Sequence, residues 1–261
     1  MSSSKVTIAQ HGNVSVIRLS DPETLNAVTA RMLDELDAAI DSARASSRAI
    51  ILASEGRAFS SGANLSDAAM AENEGLRDAG RLLETHVNPL IVKLKRLPIP
   101  WISAVRGPAV GVGSSIALAA DLIIASETAY FLQAFSRIGL VPDGGAAWLL
   151  SRGVSRARAM ELMLLGERLP AVKALEWGLV NRVVPDQMLD DTAMETAESL
   201  AKGPTTTLGL IRALSWAAVD SRLEDSLRAE REAQRTAGQS ADAREGIAAF
   251  LEKRAPRFSG Q

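Results

Sequence analysis

The chain has 261 residues, 47% of them hydrophobic, which suits one large domain or a core with a smaller appendage. A net charge of −2 with both signs interspersed, and only 4% aromatic residues, leaves neither the basic stripe nor the stacking platforms of a nucleic-acid binder. There is no cysteine and the only histidines are His11 and His86, so disulfides, thiolate nucleophiles and His-rich metal centres are excluded.

The opening "MSSSKVTIAQ" has no apolar h-region, so no secretory signal is expected. "KVTIAQHGNVSVIRLS" alternates in two runs around "HGN" and predicts a β-hairpin, with His11 beside its turn as a solvated residue. Thr29 is the expected N-cap of a helix that repeats Leu33, Leu36 and Ile40. A short apolar strand over residues 48–54 leads into a loop of small residues over 55–67. A long helical pattern follows at about 70–97, bent at Pro89 and stopped before Pro98, with His86 on a polar, solvated face. "PWISAVRG" and "DLIIAS" predict strands on either side of "PAVGVGSSIALAA", read as a Gly-rich loop turning into a helix.

Helices are predicted at about 145–151, 155–165 and 171–177, then the strand "LVNRVV". Only helical patterns occur from Asp186 onward. The expectation is an α/β core over 1–185 and a helical region over 186–261. Trp148 and Trp177 read as core, Asp121 as a structural acid, Asp67 and Glu127 as solvated ones, and the arginines of "RGVSRARAMELMLLGERL" as a salt-bridged surface. Ala109 to Ala125, the most apolar stretch, is broken by Gly111, Gly113, Ser114, Ser115 and Asp121, so no membrane span is expected and a cytoplasmic location is.

Two stretches carry more chemistry than their neighbours. "SSGANL" and "GPAVGVGSS" each follow an apolar strand and consist of small residues, which lets a ligand approach backbone N–H groups. The second opens a helix, whose first N–H groups lack internal acceptors and carry partial positive charge. Two such loops aimed at one point make an oxyanion site; taken singly, either serves equally well for tight strand–helix packing. The glycines at 107, 111 and 113 do not match the dinucleotide fingerprint, and no P-loop occurs. "GLVPDGGAA" then sets Asp143 between a proline and two glycines, in turn chemistry that by itself needs no function.

The blocks "GRAFSSGANLSD", "RGPAVGVGSSIALAADLIIAS", "FLQAFSRIGLVPDGGAAWLLSR", "ALEWGLVNRVVP" and "EGIAAFLEKRAPRF", in that order, resemble the enoyl-CoA hydratase/isomerase (crotonase) superfamily. "QAFSRIGLVPDGG" is most similar to its phenylacetate-pathway branch, the ring-1,2-epoxyphenylacetyl-CoA isomerases and their relatives. The resemblance implies a spiral of ββα repeats with a C-terminal helical trimerisation region, a homotrimer or dimer of trimers, and acyl-CoA thioester substrates. Coenzyme A then belongs to the substrate and no separate cofactor is needed. By position in the matching blocks, the oxyanion N–H groups fall on Ala63 and Val112. The CoA-holding residues fall on Thr24, Leu25 and Ala27 and on Asn64, Leu65 and Ser66; Phe250 and Lys253 match positions that touch the adenosine end from a neighbouring subunit. Gly111, Gly113, Ser115, Phe135 and Pro142 complete the expected substrate site.

Two departures point away from ordinary hydration. The hydratases' pair of glutamates matches Ser115 and Phe135 here, and the one carboxylate in that neighbourhood is Asp143. In the isomerase-like branch an aspartate at this "VPD" place is the expected proton shuttle. Apolar neighbours Phe135, Val141, Pro142 and Trp148 are expected to raise its pKa. An acyl-CoA isomerase is therefore the leading expectation. An enoyl-CoA hydratase with an atypical site and a non-catalytic acyl-CoA-binding subunit are the alternatives.

Overall fold

The computed structural model describes residues 4–64, 78 and 80–261. The expected hairpin forms from β1 (Val6–His11) and β2 (Val14–Leu19), antiparallel with Val6 opposite Leu19. Thr29 caps α1 (Ala30–Ser46), accepting the Met32 N–H at 3.1 Å, and α1 returns the chain to β3 (Ala49–Ser54), parallel to β2. The expected bend at Pro89 is a π-turn over Leu83–Val87 immediately before α2 (Asn88–Lys95). Proline has no N–H and its ring crowds the preceding turn, so the wider turn sits where the regular ladder cannot continue. The first part of that predicted helix lies outside the described residues.

β4 (Trp101–Val105) is followed by β5 (Pro108–Val110) and α3 (Val112–Leu118). The stretch expected as a Gly-rich loop therefore contains a strand. β6 (Leu122–Ser126) and β7 (Tyr130–Leu132) lead through a 3₁₀ turn at Ala134–Ile138 to α4 (Ala146–Gly153) and α5 (Arg156–Leu165). β8 (Arg168–Pro170), α6 (Ala171–Glu176) and β9 (Arg182–Val184) complete the strands.

Among the described residues, six strands form one sheet in the order β1-β2-β3-β4-β6-β9, parallel after the first pair. Three form a second, β5-β7-β8. Alternation along the strands loads both faces of the large sheet. Ile17, Leu19, Ile50, Leu52 and Trp101 face α1, α2 and α3; Val14, Val16, Ile51, Ala53, Ile102 and Ile124 face the other way. That second face is covered by α7 (Leu189–Ala201) through Leu189, Ala193, Ala197 and Ala201. The alanines recur every four residues and let the helix lie close to the strands. The first helix after residue 186 thus serves the core. α8 (Thr205–Ala218), α9 (Leu223–Gly238) and α10 (Ala241–Leu251) extend beyond it.

Candidate active site

The second sheet is longer than its three strands. Ser60 bridges Ala109 of β5, donating its N–H to Pro108 and accepting from Val110, both at 3.0 Å. Ala63 bridges Val28: the Val28 N–H reaches the Gly62 carbonyl at 2.8 Å and the Asn64 N–H reaches the Val28 carbonyl at 2.9 Å. In this parallel pairing Val28 bonds to the residues flanking Ala63, so the N–H of Ala63 itself points away from Val28. Val112 opens α3 behind Gly111, whose φ of 51° turns the chain into the helix, and the first N–H of a helix has no internal acceptor. Among the described residues neither N–H donates to a backbone acceptor.

The two loops abut. A Cβ on Gly62, at φ 90°, would lie 3.0 Å from the Val110 carbonyl oxygen and 3.8 Å from Gly111 Cα. At Gly62 close approach as well as the positive φ favours glycine; at Gly111 it is the φ of 51° alone. Gly113 is pressed on Ser60, where a Cβ would come within 2.4 Å of the Ser60 Cβ. The glycine there is required by packing.

A clamp that sequence reasoning missed holds the first loop. Asn26, fully buried, accepts the Asp21 N–H at 2.7 Å and donates to the carbonyls of Glu55 and Ala58 at 3.0 and 2.8 Å. Ser60 donates to the Asn26 carbonyl at 2.8 Å. Thr24, Leu25 and Ala27 are thereby brought beside residues 60–64: Ser61 donates its N–H to Leu25 and its hydroxyl to Thr24. The Thr24 hydroxyl is itself bound to Asp21 at 2.8 Å. Leu65, Ser66 and Asp67 lie outside the described residues.

Asp143 sits on a turn closed by Gly144 and Gly145, both left-handed at φ 57° and 80°. Its carbonyl accepts the Ala146 N–H at 3.0 Å and the Ser115 hydroxyl at 2.9 Å. The turn rests on α3: a Cβ on Gly144 would lie 2.9 Å from Ser115 Cβ and 3.4 Å from Val112 Cγ2. On the other side, a Cβ on Gly145 would lie 3.7 and 3.9 Å from Ile91 Cγ2 and Leu149 Cδ1, and one on Gly111 would lie 3.5 Å from the Phe135 ring. Asp143 Oδ1 is buried and, among the described residues, has no hydrogen-bond partner. Loss of water pushes the carboxyl up from 3.8 to about 6.

The neighbours differ from those expected. Val141 is 79% exposed and shields nothing in the single chain. Trp148 is half-buried and stacks on Trp216 at 5.6 Å rather than joining the core, while Trp177 is half-buried and packs against the core with Arg158 over its ring. Ile91 and Leu149, which sequence reasoning did not single out, lie beside Gly145 at the end of the turn. Ser115 is fully buried and turned to Asp143, so it does not line the substrate space as expected. Phe250 is 83% exposed and Lys253 lies on the surface behind it, outside the site of this chain. His11 is exposed as expected, but His86 is half-buried, its Nδ1 2.7 Å from the Thr85 hydroxyl and its Nε2 3.4 Å from Asp34.

The enoyl-CoA hydratase/isomerase family model matches residues 9–261. The chain is 42% identical over 250 residues to the 1,2-epoxyphenylacetyl-CoA isomerase of Escherichia coli (strain K12), covering 95% of each. It is equally similar, 42% over 248 residues and 95% of each, to a probable enoyl-CoA hydratase of Rhodobacter capsulatus. The crystal structure of an enoyl-CoA hydratase from Bacillus anthracis superposes with a TM-score of 0.92 at 29% identity, over 98% of this chain and 100% of that one. Family match, fold and order of the site elements agree, and the chain belongs to the enoyl-CoA hydratase/isomerase family, with the crotonase fold.

Proposed function

We propose that the protein isomerises acyl-CoA thioesters, with Asp143 as the single proton carrier. The observation that carries this reading is the buried Asp143 Oδ1, without a hydrogen-bond partner among the described residues, on a turn seated against the helix that begins at Val112. A thioester α-proton is weakly acidic, and removing it places negative charge on the carbonyl oxygen. The N–H groups of Ala63 and Val112 stabilise that charge as it develops; losing one such donor costs roughly 10²–10³ in rate. The Asp143 carboxylate takes the proton from one carbon and, as carboxylic acid, returns it to another, so the double bond moves and the carboxylate is regenerated. The loops at 24–27 and 60–64 hold the CoA portion.

Incubation of Asp143→Asn with 3-enoyl-CoA thioesters in deuterated water tests the reading. Loss of isomerisation and of deuterium uptake, with thioester binding retained, is expected; near-parental rates would end it. The equal identity to a probable hydratase favours one competing reading, an atypical enoyl-CoA hydratase. High turnover of crotonyl-CoA to its hydrated product would establish that instead. Ile211, Leu227, Ile247 and Leu251 are more than half exposed in the single chain, which supports assembly through the helical tail as a homotrimer or dimer of trimers. A monomer by light scattering would contradict it.

A further inference from the structure

We propose that Ser115 is a positioning residue: its buried hydroxyl, bound to the Asp143 carbonyl, locks the turn carrying the carboxylate to the helix carrying the Val112 N–H. This rests on the proposed roles of Asp143 and Val112. It gives a function to a side chain that otherwise registers only as a missing acid.

The need for a lock follows from the turn itself. Gly144 and Gly145 are adjacent and left-handed, so the backbone beside Asp143 has the freedom of two glycines. One face of the turn is packed on Ser115 and Val112, the other on Ile91 and Leu149, but packing alone leaves sliding along the helix unopposed. The Ser115 hydrogen bond opposes it. Val112 and Ser115 are one helical turn apart on the same face, so the path from oxyanion donor to base is a rigid turn of α3 and one 2.9 Å bond. The Ser115 hydroxyl has a second acceptor within reach, the Gly111 carbonyl four residues back, but at 3.3 Å. The shorter bond leaves α3 and goes to the turn.

The hydroxyl is fully buried and so is spent on the protein, not on the substrate. The turn is pressed on the same side chain: a Cβ on Gly144 would lie 2.9 Å from the Ser115 Cβ.

Removing the hydroxyl orphans no backbone group, which keeps the test clean. The Asp143 carbonyl retains the Ala146 N–H at 3.0 Å and the Gly111 carbonyl retains the Ser115 N–H at 3.1 Å. Ser115→Ala is therefore expected to melt close to the parent and to keep its KM. Its kcat for isomerisation should fall about 10- to 100-fold, the scale of a misplacement near 1 Å. In the Asp143→Asn background the same substitution should cost nothing further, because the group it positions is gone. A Ser115→Ala enzyme as fast as the parent, beside an inactive Asp143→Asn, overturns the proposal while leaving the function standing. An equal loss in both backgrounds also overturns it, since that marks a general structural effect. Full activity of Asp143→Asn removes the function and the proposal together.

Discussion

Asp121 and Asp143 are both carboxylates drawn out of water, and burial pushes both upward. They differ in company. Asp121 receives the Trp101 N–H at 2.9 Å and pairs with Arg212, which is 6% exposed and also donates to the carbonyls of Leu97 and Leu94 at the end of α2. The guanidinium, the Trp101 amide and the Trp216 side chain draw the Asp121 carboxyl back toward ionisation. Asp143 has no such partner at Oδ1 among the described residues. A buried acid with its hydrogen bonds filled is a rivet; one left empty in a pocket wall is available for proton transfer.

The contrast breaks most visibly by substitution. Asp143→Asn should lower isomerisation about 10²–10⁴-fold, the usual range for losing a general base, while the fold is untouched. Arg212→Ala should do the reverse. Leaving Asp121 buried and unpaired costs about 3–5 kcal/mol of stability, read as a lower denaturant midpoint, with turnover per folded molecule preserved. If Arg212→Ala instead spares stability and removes activity, the roles of the two acids have been exchanged.

Titration sharpens the comparison. kcat/KM should rise with pH through an inflection near 6, as Asp143 loses its proton and becomes a base. Stability should move oppositely. The folded pKa lies above 3.8, so the native state holds the extra proton between about pH 4 and about pH 6, and stability falls as pH rises through that window. Asp143→Asn should accordingly be more stable than the parent by about 1–2 kcal/mol near neutral pH, the full shift being discounted for partial exposure, and by nothing near pH 4. A remote control gives the smallest effect: Thr29→Ala removes the cap of α1 and should cost about 1 kcal/mol in the melting curve with no change in the pH profile.

How much of this was legible beforehand depended on range. The hairpin, the Thr29 cap and the parallel strands declared themselves through local period and polarity. β5, β7 and β8 did not: three residues are too few for a period, and their pairing is decided by partners elsewhere in the chain. Asp143 stood out because a charge between Pro and two Gly is conspicuous in an apolar stretch. Its anchor Ser115 did not, since it comes from another helix. Arg212 and Asp121 lie 91 residues apart, and nothing at either position announced the other. Resemblance matched residues to positions but did not reveal that the Ser115 hydroxyl is bonded within the protein.

One pair of stacked indoles gives the molecule a built-in optical gauge. Trp148 of α4 and Trp216 of α8 stack with 23° between their planes, flanked by Lys95 and Arg152, and Arg152 also pairs with Asp220. Chromophores at 5.6 Å couple, so near-ultraviolet dichroism will carry a signature that exists only while the tail helix is seated on the helix following Asp143. Detachment of the tail can thereby be watched separately from melting of the sheet, in the unlabelled protein.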